Sequence, residues 1–320
     1  MSVRSVACRD AVDAPLSGAS EVPCAPVDRG LGIEGFRYSC RVVAQPAARV
    51  RPVVILGGSE QDKSSWAPQT KLLSSLGTVV TVDLPGYGDA DFLPARHGID
   101  FLARAVAHML GELRLERVNL VGVCYGGMVA LRFAQRYPRF LDRLALVGTR
   151  LTIPAAFAEM ARRFEELRAL GENERIAAIM VETFMSPPGL GRVRRRAAVS
   201  RLLYRQFLRR ATQEAEAAVE NIARLLGHDV YRPLPVPDVP VLAVTGEYDT
   251  LCAPATVREV AGLFPSASFT TLREADHLMP LERPAEFADL IGRFCAGRLR
   301  DELPYCNAVE RAVHRPPRPG

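Results

Sequence analysis

Residues 118–127, with the sequence VNLVGVCYGG, restrict the possible folds of this chain more than any other stretch. An apolar run leads into Gly-x-Cys-x-Gly-Gly, and an amphipathic run follows at once. This order predicts a buried strand, a turn too sharp for ordinary side chains, and then a helix. Gly122 and Gly126 flank Cys124 where the turn would press two backbone segments against any Cβ atom. Such a turn typically presents its central side chain, here a thiol, at the end of a sheet.

The motif alone does not decide what Cys124 does. In isolation, Gly-x-Cys-x-Gly favours a buried structural cysteine at a tight strand–helix turn. A reactive thiol needs partners elsewhere in the chain, although the Tyr125 N–H and the helix N-terminus would favour negative charge at the sulfur. Candidate partners occur further along the sequence, and with them the reactive thiol becomes the better interpretation.

Composition excludes several classes of function. The net charge is only +5. Lys63 and Lys71 are the sole lysines among 41 basic residues, and such a general arginine bias does not indicate nucleic-acid binding. The Cys/His spacing suggests no metal and no glycine-rich loop suggests a nucleotide, so neither metal nor cofactor is expected. No run approaches 18 apolar residues, which argues against a membrane span. Seven scattered cysteines without a secretory signal favour the reducing cytoplasm.

Alternating strand and helix patterns predict an α/β fold with a mostly parallel central sheet and helices on both faces. The alternation stops after residue 150, where only helical periodicity is present, and this predicts a helical cap inserted between two strands. The expected organisation is a flexible N-terminal tail, a first part of the core, the cap, a second part of the core and a flexible C-terminal tail. These occupy residues 1–29, 30–150, 151–232, 233–300 and 301–320.

Four motifs in a fixed order resemble those of the α/β-hydrolase fold superfamily with a helical cap. They are LGGS at 56–59, DLPGYG at 83–88, GVCYGG at 122–127, and GEYD at 246–249 followed by ADH at 275–277. The resemblance extends over residues 33–298. We name residues 122–127, the sharp turn that carries Cys124, the elbow. The elbow is also similar to the Gly-x-Cys-x-Gly-Gly box of polyhydroxyalkanoate synthases and to the elbows of cysteine-type thioesterases and acyltransferases, as a local likeness.

The resemblance implies a catalytic triad. Cys124 would be the nucleophile, His277 the general base, and Asp249 the acid that orients the histidine. Glu247, two positions before Asp249, is a rival acid. The backbone N–H groups of Ser59 and Tyr125 would form the oxyanion hole.

The chain departs from the family pattern at two positions. Gly57 stands where the family has histidine, which removes a hydrogen bond but not the backbone donor. Asp276 stands before His277 where glycine is usual. This leaves open the conformation of the loop that carries His277, which we name the base loop. Cys252 lies close to the acid in sequence and is expected to be a packing residue.

A thiolate nucleophile indicates acyl transfer from thioesters. Attack on a thioester exchanges one thioester for another at little cost, whereas attack on an oxoester is uphill. The expected substrate is therefore an acyl group on coenzyme A or a carrier protein, and the acceptor is an alcohol, an amine or water. The enzyme would be an acyltransferase or a thioesterase of a biosynthetic pathway. The alternatives are a carboxylester or lactone hydrolase and a non-catalytic binding protein on the same fold.

Two features of the cap concern its substrate. Its apolar faces predict a cover that holds an acyl chain and excludes water, which favours transfer over hydrolysis. These faces centre on Phe157, Phe164, Phe184 and Phe207. A run of arginines would dock a phosphate or an acidic carrier protein, or else form a solvated basic face. The run includes Arg194, Arg195 and Arg196.

Overall fold

The computed structural model describes residues 22–59, 61–229 and 231–314. These residues form one central sheet whose strands are β1 (Val27–Ile33), β2 (Phe36–Val43), β3 (Val53–Leu56), β4 (Val79–Asp83), β5 (Val118–Val123), β6 (Leu141–Val147), β7 (Val241–Gly246), β8 (Ala267–Leu272) and β9 (Glu310–Arg311). The helices are α1 (Ala67–Leu73), α2 (Ile99–Glu112), α3 (Tyr125–Arg136), α4 (Ala155–Ala169), α5 (Asn173–Phe184), α6 (Arg196–Gln213), α7 (Ala215–Gly227), α8 (Pro254–Ala261), α9 (Met279–Glu282) and α10 (Pro284–Cys295).

The strand order is β1-β2-β4-β3-β5-β6-β7-β8-β9. The six strands from β4 to β8 in this order pair in parallel, while β1, β2 and β9 add antiparallel edges. Every position of β5 and β7 is buried, as expected of parallel strands that are covered on both faces. The predicted α/β class with a mostly parallel sheet is confirmed.

Helices cover both faces of the sheet. The core on one face includes side chains of α2, α3 and α8, and the core on the other face includes side chains of α1 and α10. Because the parallel strands share one direction, their carboxyl ends meet at one edge of the sheet. The loops after β3, β5, β7 and β8, which carry the predicted site residues, therefore converge there.

Helices α4 to α7 form a lid between β6 and β7 with a small hydrophobic core of its own. That core contains Phe164, Phe184, Leu203 and Phe207, each less than 9% exposed. The four helices lie within the stretch expected to form the cap. In the described part of that stretch, no strand is present.

The described parts of the two chain ends are ordered against the sheet and do not form the flexible tails that the sequence predicted. Residues 1–21 and 315–320 lie outside the described residues. Strand β1 begins at Val27 and pairs with β2. Near the other end, Leu303 and Cys306 are buried, and β9 pairs with β8. This segment packs although its sequence has no periodic pattern, because backbone pairing at a sheet edge needs few apolar side chains.

A buried ion pair supports the loop between β3 and α1. The Lys63 ammonium lies 2.7 Å from an Asp83 oxygen, and both side chains are at most 5% exposed. The Lys63 N–H donates to the other Asp83 oxygen at 2.6 Å, and Thr81 donates to the Lys63 carbonyl at 2.8 Å. The contacts fasten this loop, which includes Ser59, to the end of β4.

We expect Asp83→Ala to destabilise the protein, because it leaves the buried Lys63 ammonium with only the exposed Asp89 carboxylate at 2.8 Å. Loss of one partner of a buried pair should lower the free energy of unfolding by about 3 kcal/mol. Urea unfolding followed by circular dichroism measures this change. The control is Asp28→Ala, which breaks the exposed pair with Arg41 and should have a much smaller effect. Equal effects of the two substitutions would contradict a bracing role for Asp83.

Candidate active site

Cys124 occupies the sharp turn between β5 and α3. Its backbone has φ 52° and ψ −113°, a left-handed conformation that costs energy for a residue with a side chain. The neighbouring glycines permit the turn, because a Cβ on Gly122 would lie 2.6 Å from the Gly126 carbonyl oxygen. A Cβ on Gly126 would collide with the Leu56 carbonyl. Only glycine therefore fits at the two predicted elbow positions, where β3 and α3 pass close to each other.

The loops after β7 and β8 bring Asp249 and His277 together. His277 Nδ1 lies 2.8 Å from Asp249 Oδ2, and both residues are 2% exposed. The Thr245 hydroxyl also donates to Oδ2, and the Cys252 N–H donates to Oδ1 at 2.7 Å. Glu247, the rival acid, instead accepts a backbone N–H from the next loop at 3.0 Å. The geometry therefore pairs the histidine with Asp249.

Burial and charge act in opposite directions on this pair. Burial alone would lower the pKa of His277, but the Asp249 carboxylate and the Cys124 sulfur raise it well above its ordinary value. Burial alone would raise the pKa of Asp249, but the charge and hydrogen bond of His277 hold it below its ordinary value. The pair is thus arranged to hold a proton on the imidazole.

The second nitrogen of His277 faces the side where Cys124 lies. Among the described residues, the buried Nε2 has no hydrogen-bond partner, and Cys124 and His277 line the same cavity. The Phe184 ring packs edge-on against the imidazole with centroids 5.8 Å apart. Gly148 allows the ring to approach β6, because a Cβ there would be 3.0 Å from it. The structure therefore brings Cys124, His277 and Asp249 to one place, and Gly148 is a supporting residue that the sequence did not indicate.

The loop after β3 supplies the other predicted backbone donor. Gly58 lies against the turn, since a Cβ there would be 3.3 Å from the Cys124 Cβ. Its N–H donates to Gln61 Oε1 at 2.9 Å, which shapes the loop where the family histidine is replaced by Gly57. In the described part of the chain, the N–H groups of Ser59 and Tyr125 have no hydrogen-bond acceptor. These are the two donors that the sequence predicted for an oxyanion.

Two adjoining apolar cavities lie near the thiol, and one of them is lined by Cys124. The other lies between the lid helices. The two share the side chains of Ser59, Phe184 and Phe207. All four phenylalanines that the sequence placed on the lid's apolar faces line the second cavity, which we name the lid chamber.

Asp276 has a defined position beside His277. Its buried carboxylate accepts the His277 N–H at 2.8 Å through Oδ1 and the Ser186 N–H of the lid through Oδ2. Its own N–H donates to Glu282 at 2.6 Å. Arg196 lies 3.9 Å from Oδ2 and also donates to the Ser186 carbonyl. The departure from glycine therefore adds a direct connection between the lid and the base loop.

The arginine run faces the base loop, and this differs from the expected docking surface. Arg194 is ion-paired with Glu274 at 2.6 Å, and its N–H donates to the Glu274 carbonyl. Arg195 donates to the Leu281 carbonyl at 2.9 Å. Together with Arg196, these guanidinium groups contact partners within the protein, although Arg194 and Arg195 are exposed.

Four of the five other described cysteines are buried and are poor candidates for the nucleophile. Cys252 is buried beside the acid, and burial raises the pKa of its thiol. Burial likewise raises the pKa of Cys40 to about 11 and that of Cys295 and Cys306 to about 12. Cys124 differs from these four because it is partly exposed to a cavity.

The residues that the structure describes contain no group of three or more His, Cys, Asp or Glu side chains arranged to hold a metal ion. No described helix combines the length and the apolar character needed to cross a membrane.

Comparisons with known proteins agree with this architecture. Residues 51–284 match the family model for the alpha/beta hydrolase fold. A pimeloyl-[acyl-carrier protein] methyl ester esterase of Aeromonas hydrophila is 26% identical over 251 residues, which are 76% of this chain and 94% of the esterase. The structure of the enol-lactonase from Burkholderia xenovorans LB400 has a TM-score of 0.71 at 23% identity and covers 83% of this chain and 99% of the lactonase.

Other curated relatives align over a shorter region. An uncharacterized protein of Mycobacterium tuberculosis is 30% identical over 116 residues, or 36% of this chain. The chain spans only 33% of the length of that relative. The family match is far longer, since it includes the strands from β3 to β8, the elbow and the loops of the acid and the base. The chain belongs to the α/β-hydrolase fold family.

Proposed function

We propose that this protein is a hydrolase that cleaves esters or thioesters of apolar carboxylic acids through an acyl-cysteine intermediate. One observation carries the proposal: Cys124, held at φ 52°, shares an apolar cavity with a His277 whose Nδ1 is bound by Asp249. A nucleophile, a base and an orienting acid in this arrangement are the parts that acyl transfer requires.

The first half-reaction forms the acyl-enzyme. The Cys124 sulfur attacks the substrate carbonyl carbon, and His277 Nε2 holds the proton that the thiol gives up. The N–H groups of Ser59 and Tyr125 stabilise the oxyanion that develops on the carbonyl oxygen. When that oxyanion collapses, the bond to the leaving alcohol or thiol breaks, and His277 returns the proton to the leaving group.

The second half-reaction releases the acid. Water enters after the alcohol or thiol has left, and His277 Nε2 removes its proton as its oxygen attacks the acyl carbon. The carbon–sulfur bond then breaks, and Cys124 leaves as a thiolate that recovers the proton from His277. Asp249 stabilises the imidazolium in both halves without itself becoming protonated.

Similarity to proteins that are named for ester and lactone cleavage favours hydrolysis over the transfer that the sequence suggested. The named activities are those of the esterase of Aeromonas hydrophila and the enol-lactonase. Transfer to an alcohol or amine remains the second candidate, because the thiol lies near apolar cavities that can slow the entry of water. Docking of a carrier protein is favoured only by the name of the esterase of Aeromonas hydrophila, since the arginines expected to bind a carrier contact the base loop.

The lid chamber accounts for the acyl part of the substrate. It lies between the lid helices and reaches Ser59, whose N–H is the proposed oxyanion donor. Its remaining walls are largely apolar and include Met160, Ile176, Met180 and Ile222. A chamber with such walls suits an apolar acyl chain.

Cys124→Ala should lower turnover of p-nitrophenyl hexanoate by about 10³-fold or more and prevent formation of the acyl-enzyme. The reason is that Cys124 lines a cavity together with His277, whereas Cys252, another thiol near His277, is buried. Intact-protein mass spectrometry after rapid mixing with a hexanoyl thioester measures the adduct. The control is Cys24→Ser, which changes an exposed cysteine and should retain both turnover and adduct. An adduct of the same mass on the Cys124→Ala protein would refute the assignment.

The fate of the loaded acyl group separates hydrolysis from transfer. We expect the hexanoyl adduct on Cys124 to decay to free acid in buffer alone, because water can enter once the alcohol or thiol has left. The decay rate, followed by mass, should not increase with added alcohols or amines. A stable adduct that disappears only with an acceptor would instead support the second candidate.

Ala218→Phe should shorten the preferred acyl chain, because Ala218 lines the lid chamber. The phenyl ring would displace several methylenes of a long chain, each worth about 0.8 kcal/mol of burial, so kcat/KM for an octanoyl ester should fall about 10-fold or more. Butyryl ester turnover should be unchanged. Ala217→Phe on the same helix, at a position outside the chamber lining, is the matched control. Equal losses on both chain lengths would place the acyl group elsewhere.

A buried carboxyl behind the base loop makes stability depend on pH. Burial, reinforced by the nearby Asp276 carboxylate, raises the pKa of Glu282 from its ordinary value of 4.5 to about 8. His277 and Asp249 also lie near it and carry charge. Because the folded state holds this proton more tightly than the unfolded chain, the contribution of Glu282 to stability is full below pH 4.5. It is lost progressively as the pH rises to about 8.

Glu282→Gln should remove this pH dependence, since glutamine keeps an oxygen that can accept the Asp276 N–H. Relative to the wild type, the variant should gain roughly 3 kcal/mol of unfolding free energy between pH 5 and pH 9. Urea unfolding at several pH values measures the difference between the two proteins. A difference that stays constant across this range would mean that Glu282 is ionised in the folded protein throughout.

A further inference from the structure

One face of helix α6 lies over the active site and carries an arginine at each end. Positions 196, 199, 203, 207 and 210 follow helical spacing and share this face. The three middle side chains are Val199, Leu203 and Phe207, each at most 3% exposed. Leu203 and Phe207 line the cavity at Cys124. The end residues are 14 positions apart, which corresponds to about 21 Å along the helix.

The arginine at the start of α6 acts on the base loop. Arg196 donates to the Ser186 carbonyl and hydroxyl and lies 3.9 Å from Asp276 Oδ2. The same carboxylate accepts the Ser186 N–H on one oxygen and the His277 N–H, at 2.8 Å, on the other. The buried Asp276 therefore joins the lid to the backbone of the histidine.

The arginine near the end of α6 acts on the loop after β3. Arg210 Nη1 donates to the Ser59 carbonyl oxygen at 2.8 Å. The N–H of Ser59 is the proposed oxyanion donor. A hydrogen bond to the carbonyl of this residue restricts how the flanking peptide groups can turn. The C-terminal end of α6 thereby holds the loop after β3, which we name the oxyanion loop.

We propose that α6 is a strut that aligns both catalytic loops when the lid is seated, with Arg196, Asp276 and Arg210 as positioning residues. The inference rests on the proposed function and names how that same site is assembled. None of the three side chains touches a reacting atom. Arg196 and Asp276 act on the base, and Arg210 acts on the oxyanion donor, so the two ends should have separable effects on catalysis.

Esters with different leaving groups can separate the effects of the two ends of the strut. An alkoxide is too basic to leave without a proton, so its departure depends on an aligned His277. A p-nitrophenolate leaves without that assistance. Both esters develop an oxyanion and depend equally on the Ser59 N–H. A displaced base therefore penalises ethyl esters more than p-nitrophenyl esters, whereas a displaced oxyanion donor penalises both alike.

The experiment compares kcat and KM of the full chain for p-nitrophenyl hexanoate and ethyl hexanoate. Arg196→Gln and Asp276→Asn should each lower kcat about 10-fold more on the ethyl ester than on the p-nitrophenyl ester. Arg210→Gln should lower kcat by a similar factor, about 10-fold or more, on both, and Arg210→Lys should restore part of it. KM should change little for Arg196→Gln and Asp276→Asn, whereas Arg210 also lines the lid chamber, so its effect on the oxyanion donor is judged from kcat. Arg205→Gln, an exposed arginine on the same helix, is the control and should change neither constant.

Other outcomes would overturn the inference. Losses that are the same on both esters for all three positioning variants would mean that α6 contributes only to lid stability. Changes confined to KM would make these residues part of substrate binding. A wild-type protein that hydrolyses neither ester would remove the proposed function and the strut with it. An active wild type with unaffected variants would remove the strut alone.

Discussion

The buried hydrogen bond between His277 and Asp249 is the interaction on which the arrangement of the site depends. Both residues are 2% exposed, and a carboxylate at that depth is tolerated only when each oxygen has donors. Thr245, Cys252 and the imidazole supply those donors, and they come from β7, from the loop after it and from the loop after β8. The pair can therefore form only where the carboxyl ends of neighbouring parallel strands lie side by side. The same edge receives the elbow after β5 and the oxyanion loop after β3, which is why one sheet edge gathers all these groups.

Much of this edge could be predicted from the sequence, because its residues lie in short motifs that keep a fixed relation to a strand. The motif around Cys124 predicts a strand, a turn and a helix locally, and the parallel sheet determines where that turn lies. The sequence alone leaves Glu247 as a rival to Asp249, and the contact of Asp249 with His277 distinguishes the two. The environment of Arg194 could not be predicted, since its partner Glu274 is 80 residues away and no local pattern records the pairing. Edge pairing of β9 escaped detection for a similar reason, because it involves only two residues and backbone hydrogen bonds.

A thiol in a family whose relatives are named for ester and lactone cleavage changes how the energy of the reaction is distributed between the two half-reactions. In the reaction proposed here for an ester substrate, a thioester intermediate would lie higher than an oxoester intermediate, so formation of the acyl-enzyme would be the harder half and its breakdown the easier one. The apolar walls around Cys124 then have two opposing effects. If Ser59 and Tyr125 are the oxyanion donors proposed above, these walls strengthen the attraction of their N–H groups for the developing oxyanion, which helps the first half. They also slow the approach of water in the second half.

The lid connects these energetic demands to the size of the substrate. Phe184 and Phe207 line both cavities, and Phe184 also packs on the His277 ring. An acyl chain in the lid chamber would bury apolar surface against the same helices whose polar ends contact the two catalytic loops. Binding energy from a part of the substrate that does not react can thereby favour the conformation in which the base and the oxyanion donor are aligned. A short acyl group lacks that contribution, so it should react slowly even though its carbonyl is chemically equivalent. In the proposed function, the preference for chain length then comes from all four lid helices. Helix α6 links that preference to the rate of the chemical step through its contacts with the two loops.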